Sequence, residues 1–163
     1  MPFLKTAEPL VKAIAGGWQI SGIFAAQSGF PFTPAIAGDN ALSGAGGQRP
    51  NRILGADPFG PGTRTPSNWF NGNAFQVAPR GQFGNSGKGI LDGPGLVNVD
   101  IGLMKSFAIR ENMRLQFRAE FFNLGNHPNF APPNSTVNST SNGIISSTVT
   151  DARQIQFGLR LDF

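Results

Sequence analysis

Residues 153–163 read RQIQFGLRLDF, and this stretch decides the fold class. Every second residue is apolar, and the residues between are polar or glycine. The apolar set is Ile155, Phe157, Leu159, Leu161 and Phe163. Because successive side chains of a strand point to opposite faces of a sheet, this alternation predicts a strand with one apolar and one polar face.

The same alternation recurs in three earlier segments: residues 17–28, 96–107 and 112–123. It is imperfect in each of them. Phe122 interrupts one polar face, Met104 and Lys105 are exchanged in another, and Ile23 blurs the third. The pattern still outweighs these exceptions and predicts four antiparallel strands, consecutive along the chain.

The connections between these segments alternate in length. Residues 108–112 form a tight hairpin turn, whereas residues 29–94 and 124–152 are long, polar and rich in Gly, Pro, Asn, Ser and Thr. Loops of that length are uncommon in compact soluble domains, but outer-membrane barrels combine short turns on one side with long loops on the other. The sequence therefore predicts an all-β fold: a meander of about four long strands, the C-terminal part of a transmembrane outer-membrane β-barrel, with long extracellular loops.

A soluble β-sandwich or jelly roll is the alternative, since alternating strands with glycine-rich turns also describe those folds. Charges in the middle of the strands favour the barrel, because they suit a wet interior while the opposite face stays apolar. We expect the apolar set to face lipid: Trp18, Val99, Ile101, Leu115, Phe117, Phe157 and Leu159. We expect the polar set to face the lumen: Asp100, Arg114, Arg118, Glu120 and Arg160.

Composition excludes several other classes of protein. The chain has 22 Gly, 13 Pro and only 13% charged residues, which disfavours long helices, and its lack of cysteine excludes disulfides and thiolate metal sites. The net charge of +4 is spread without a basic run, so we expect no nucleic-acid partner. Lys5, Glu8 and Lys12 interrupt any signal-peptide core, and we therefore expect an export signal upstream of Met1.

Candidate chemistry is sparse, and we expect no enzyme, no cofactor, no metal and no catalytic residue. Residues 84–89 read GNSGKG but depart from the phosphate-loop pattern at Gln82 and Gly89, so they are interpreted as a flexible loop. His127 is the only histidine and is interpreted as a turn residue. Four residues considered as calcium ligands are interpreted as solvated turn residues: Asp39, Asn40, Asp57 and Asp92.

Ten short motifs along nearly the whole chain resemble one known family. They are GGWQISGI (16–23), QSGFPF (27–32), NWFN (68–71), AF (74–75), GQFGN (81–85), GPG (93–95), NVD (98–100), LQFRAEFFN (115–123), NHPNF (126–130) and RQIQFGLRL (153–161). Together they resemble TonB-dependent receptors of the type that carries an N-terminal carboxypeptidase-regulatory-like domain, a plug and a long-looped barrel. The resemblance implies a bacterial outer-membrane barrel that imports a scarce nutrient, driven by the TonB complex.

Residues 1–163 are thus expected to be one part of such a barrel, since transporters of this kind have roughly 22 strands and a plugged lumen. We expect the chain to be a fragment that is not competent for transport alone. Its partners would be outer-membrane lipid, the remaining barrel strands and the plug, with TonB contacted only through those other parts. A surface or adhesion barrel without transport, or a soluble β-sandwich binding module, is the alternative function.

Orientation follows if Phe163 lies at the periplasmic rim, where a terminal aromatic residue would act as the signal for the barrel assembly machinery. Counting strands backwards then places both long loops outside the cell and the tight turn in the periplasm. It also places Trp18, Phe107 and Phe163 in one interfacial aromatic girdle.

Overall fold

The computed structural model describes residues 15–163. The sequence positions Lys5, Glu8 and Lys12, considered above for a signal peptide, lie outside the described residues. Eight strands follow one another along the described chain, with a single 3-10 turn at Gly72–Ala74. Four of the strands are long and form one sheet, and the other four are two-residue strands in the long insertions. No helix among the described residues is long and apolar enough to cross a membrane.

The main sheet confirms the predicted meander. Its strands are β1 (Trp18–Gln27), β6 (Leu96–Arg110), β7 (Met113–Phe122) and β8 (Gln154–Asp162), hydrogen-bonded in that order. The pairs β6–β7 and β7–β8 are antiparallel. β1 is antiparallel to β6 as well, because Gly17 lies beside Ser106 whereas Gly22 lies beside Asp100.

The hairpin turn is shorter than the sequence predicted. β6 continues through Arg110, which pairs with Met113, so only Glu111 and Asn112 form the turn rather than residues 108–112. The register shifts between Ala108 and Arg110, because Ile109 is an extra residue on one strand. A bulge of this kind bends the strand without ending it. The apolar and polar alternation in the sequence therefore stops before the strand ends.

The long insertions are not simple loops, contrary to what their composition suggested. Residues 26–96 and 129–150 pack into a compact unit of their own, called here the loop unit. Inside it β2 (Pro31–Phe32) pairs with β5 (Leu91–Asp92), and β3 (Asn51–Arg52) pairs with β4 (Phe75–Gln76). The loop unit therefore has short β-ladders that tie distant segments together.

An aromatic core holds the loop unit together. Phe70 is fully buried, and its ring meets Phe32 and Phe75 edge-on at centroid distances of 5.7 and 6.2 Å. Ala74 and Leu91 complete the buried cluster. Edge-to-face packing of this kind adds to the free energy gained by removing the rings from water.

Main-chain hydrogen bonds join the two insertions to each other. The Trp69 N–H donates to the Gly143 carbonyl at 2.8 Å, and the Ile145 N–H donates to the Pro66 carbonyl at 2.7 Å.

Residues 84–89, expected to be flexible, are anchored: a Cβ at Gly84 would lie 2.1 Å from the Arg49 carbonyl oxygen. Only glycine fits such a close approach of two backbones.

Asp39 organises the loop at residues 39–48. Its carboxylate accepts hydrogen bonds from the N–H groups of Ser43 at 3.0 Å and Gly44 at 2.7 Å, and it also accepts one from the Gln48 side chain. The two backbone N–H groups are the main cause that lowers the pKa of Asp39 below its ordinary value of 3.8. The ionised carboxylate is thus the form that this loop stabilises.

We predict that replacing Phe70 by Ala destabilises the loop unit by about 3–5 kcal/mol, because the substitution removes a fully buried ring and leaves a cavity. Phe83→Ala is the matched control, since that ring is 70% exposed and its loss should change stability by no more than about 0.5 kcal/mol. Native-state hydrogen exchange of backbone amides in residues 26–96 measures the change in stability that each substitution causes. Equal effects of the two substitutions would contradict the proposed core.

We predict that the Ser43 and Gly44 amide resonances titrate with a midpoint below 3.8, the ordinary pKa of Asp. Because the folded-state pKa is lowered, the stabilisation is fully present above 3.8 and is lost as the pH falls through the folded-state pKa. Amide NMR spectra recorded between pH 6 and about pH 2 measure the midpoint. Asp39→Asn should abolish the titration; a midpoint at or above 3.8 in the unmodified chain would refute the assignment.

Candidate functional site

The register of the sheet sorts the strand residues onto two faces. On one face Ile101, Phe121 and Ile155 are neighbours across three strands. Successive rows of paired residues then point alternately to the two faces of the sheet. This apolar face carries all the residues for which lipid contact was predicted: Trp18, Val99, Ile101, Leu115, Phe117, Phe157 and Leu159. The predicted grouping of these side chains is present in the sheet, and their contact with lipid stays a prediction.

No other element covers the apolar face among the described residues of the sheet unit. Ile20, Phe157 and Leu159 are 72%, 66% and 70% exposed. Of the residues in the four long strands, only Ala119 and Lys105 are buried. Phe117 stacks on Phe157 with ring centroids 6.1 Å apart, which makes a smooth aromatic surface rather than a core. An exposed apolar surface of this extent marks a site of contact with lipid or with another protein.

The opposite face is polar and charged. It carries Asp100, Arg114, Arg118, Glu120 and Arg160, the residues predicted to face the lumen. Arg118 and Glu120 form an ion pair at 3.6 Å, and Arg160 and Asp162 form one at 2.7 Å. Gly158 lies opposite Arg118 across the ladder and leaves room for the long side chain. These ion pairs are exposed and contribute little stability, so the face is suited to water.

Lys105 is the exception on the apolar face. It lies in one row with Phe117 and Leu159, yet it is only 2% exposed. Its ammonium group donates to the Gly16 carbonyl and lies 5.2 and 5.1 Å from the ring centroids of Trp18 and Phe107. Cation–π contacts of this kind offset part of the cost of burying the charge. The sequence showed only that Lys105 breaks the alternation, not that aromatic rings surround it.

Asp100 has a structural role at the far end of β6. Its carboxylate accepts hydrogen bonds from the Asn98 side chain at 2.8 Å and from the Asn123 N–H at 2.9 Å. Asn123 has a φ of 48° and holds both the N–H and the carbonyl of His127 through its own side chain. His127 therefore lies in a turn that Asn123 organises, in keeping with its interpretation from the sequence.

Three of the four residues considered as calcium ligands have other hydrogen-bond partners. Asp39 is engaged by Ser43, Gly44 and Gln48, the Asn40 amide donates to the carbonyl groups of residues 78 and 79, and Asp57 accepts from the Phe59 N–H. Asp92 lies in β5. Within residues 15–163, no three His, Cys, Asp or Glu residues are grouped so that they would hold a metal ion.

Two cavities lie in the loop unit. The larger, of about 530 Å³, is lined by Thr33, Gln48, Arg49, Phe83, Gly84 and Lys88, and it is called here the basic cavity. The smaller, of about 250 Å³, is apolar and is lined by Phe30, Phe32 and Phe130 among others. Neither was predicted, because their lining residues come from segments far apart in the sequence.

Phe163 follows the last residue of β8 and is 93% exposed. Its proposed role as an assembly signal stays a prediction.

Comparison with known proteins gives one match. The profile of a family described as outer membrane beta barrel domain matches residues 1–156, nearly the whole chain. No curated protein and no solved structure matches significantly. The match agrees with the antiparallel meander and with its uncovered apolar face opposite a charged one. The chain belongs to the outer membrane beta barrel domain family.

Proposed function

We propose that this chain forms part of the wall of a bacterial outer-membrane receptor barrel, of the TonB-dependent type, that takes up a nutrient. The apolar face contacts lipid, the charged face lines the lumen, and the loop unit receives the ligand outside the cell. The observation that carries the proposal is the apolar face itself, which spans all four long strands and has no core beneath it among the described residues.

The open edges of the sheet support a wall rather than a complete barrel. β1 and β8 are each hydrogen-bonded on one side only within the described sheet. In hydrocarbon each unpaired backbone group costs several kcal/mol, so a membrane sheet must close on further strands. We propose that those strands, and the plug and TonB-contacting segment that uptake requires, belong to the rest of the receptor.

The charged face supports a wet interior. It carries both acidic and basic side chains, and the side chains of Arg118 and Arg160 are 54% and 74% exposed. Charges placed on a lipid-facing surface would cost on the order of 2 to 4 kcal/mol each near the bilayer midplane. The opposite assignment of the faces would place both arginines in hydrocarbon, and we reject it for that reason.

We predict that, in lipid vesicles, oxygen enhances the spin relaxation of nitroxide labels at Phe117 and Phe157, because oxygen concentrates in hydrocarbon. The spin relaxation of labels at Gln116 and Gln156 should instead be enhanced by a water-soluble nickel chelate, because these two residues lie on the polar face. Continuous-wave power saturation measures the accessibility of each label to oxygen and to the nickel chelate. Each pair of adjacent positions serves as its own control, and reversed accessibilities would refute the assignment of the faces.

We predict that an epitope tag inserted beside Leu54 is accessible to antibody on intact cells. Leu54 is 96% exposed, so the insertion does not disturb the core of the loop unit. The matched control is the same tag between Glu111 and Asn112, in the tight turn, which should bind antibody only after permeabilisation. If the tag at Leu54 also required permeabilisation, the loop unit would face the periplasm and the receptor orientation would be wrong.

A further inference from the structure

The basic cavity of the loop unit has two cationic side chains and no acidic one among its lining residues. Arg49 and Lys88 both line it and both are exposed. In the part of the chain that the structure describes, neither side chain has an ion pair or a hydrogen bond. Two cations and no acidic group at one cavity give it a positive potential, which attracts an anion.

The walls of this cavity are fixed before any ligand arrives. Asp39 holds Gln48 on one side, and Gly84 is pressed against the backbone at Arg49 on the other. The Asn51 and Asn85 side chains join the same two segments. The Asn85 N–H donates to Asn51 Oδ1 at 3.0 Å, and the Arg52 N–H donates to Asn85 Oδ1 at 2.9 Å. A preformed cavity avoids the cost of ordering its walls during binding.

Further groups complete a recognition surface. The Thr33 hydroxyl accepts a hydrogen bond from the Gly89 N–H at 2.9 Å, which fixes the turn beside Lys88 and leaves the hydroxyl proton free to donate. Phe83 lines the cavity with a ring that is 70% exposed. An exposed aromatic face beside cationic groups is suited to a flat ring that carries a negative charge.

We propose that the basic cavity binds a small organic anion, in which a carboxylate or phosphate group meets Arg49 and Lys88 and a ring packs on Phe83. This inference deepens the proposed receptor role by naming the chemical class of its ligand. The Asp39 carboxylate does not line the cavity, and it accepts hydrogen bonds from Ser43, Gly44 and Gln48.

The test uses the full chain in detergent and three probes: benzoate, inorganic phosphate and benzyl alcohol. Ligand-observed NMR or calorimetry gives the dissociation constants. We expect benzoate to bind more tightly than phosphate, because only benzoate offers a ring to Phe83, and we expect no binding of uncharged benzyl alcohol. Phe83→Ala should weaken benzoate binding and leave phosphate binding unchanged. Benzyl alcohol binding as tightly as benzoate would overturn the proposal.

The double substitution Arg49→Gln with Lys88→Gln should weaken benzoate binding roughly tenfold or more, since it removes both charge-assisted contacts. Arg80→Gln is the matched control, because Arg80 is an exposed cation of the same unit that does not line the cavity. Unchanged amide spectra show that each variant is folded. Binding that survives the double substitution, or that Arg80→Gln weakens equally, would overturn the proposal. The accessibility of the sheet to lipid is measured separately, so the receptor role and this site fail independently.

Discussion

The register of β7 with its two neighbours determines on which side of the sheet each long-strand side chain lies. Phe117 pairs with Lys105 and Leu159, and the adjacent Arg118 pairs with Met104 and Gly158. Because the side-chain period of a strand is two residues, a slip of one residue in β7 would exchange its apolar and charged sets. The slip would place arginines among phenylalanines. The separation of the two faces, and with it any membrane role, depends on this hydrogen-bonded register.

Strands and faces were predictable because they repeat locally, whereas the loop unit and its cavities were not. Alternation located all four long strands to within a few residues, and it missed the end of β6, where Ile109 is inserted as a bulge. The core of the loop unit has no such period. Phe70 packs on Phe32 and Phe75 within segments rich in Gly and Pro, and its neighbourhood is fixed by contacts between two insertions. Composition suggests loops there, and the buried aromatic cluster together with tertiary hydrogen bonds makes them compact.

Lys105 shows how a charge is accommodated on an otherwise apolar face. Removing an ammonium group from water is costly unless it is hydrogen-bonded or paired. Here the Gly16 carbonyl accepts from it, while Trp18 and Phe107 supply ring faces at about 5 Å. In the proposed orientation this end of the sheet lies at the periplasmic interface, where aromatic residues and lysine are common. The same three residues would be out of place at the bilayer midplane, so the cluster favours a particular depth of the sheet.

The distribution of paired and unpaired charge distinguishes the proposed wall from the proposed ligand site. On the polar face of the sheet, Arg118 and Arg160 have Glu120 and Asp162 as ion-pair partners, so that face presents little net charge to an arriving molecule. In the loop unit, by contrast, Arg49 and Lys88 share one cavity that no acidic side chain lines. A charged side chain contributes to the binding of a charged ligand when it gains an ion-pair partner on association. A side chain that already has an ion-pair partner must first give up that partner. We therefore propose that the loop unit, rather than the charged face of the sheet, recognises an anion, and that the charged face keeps the lumen wet.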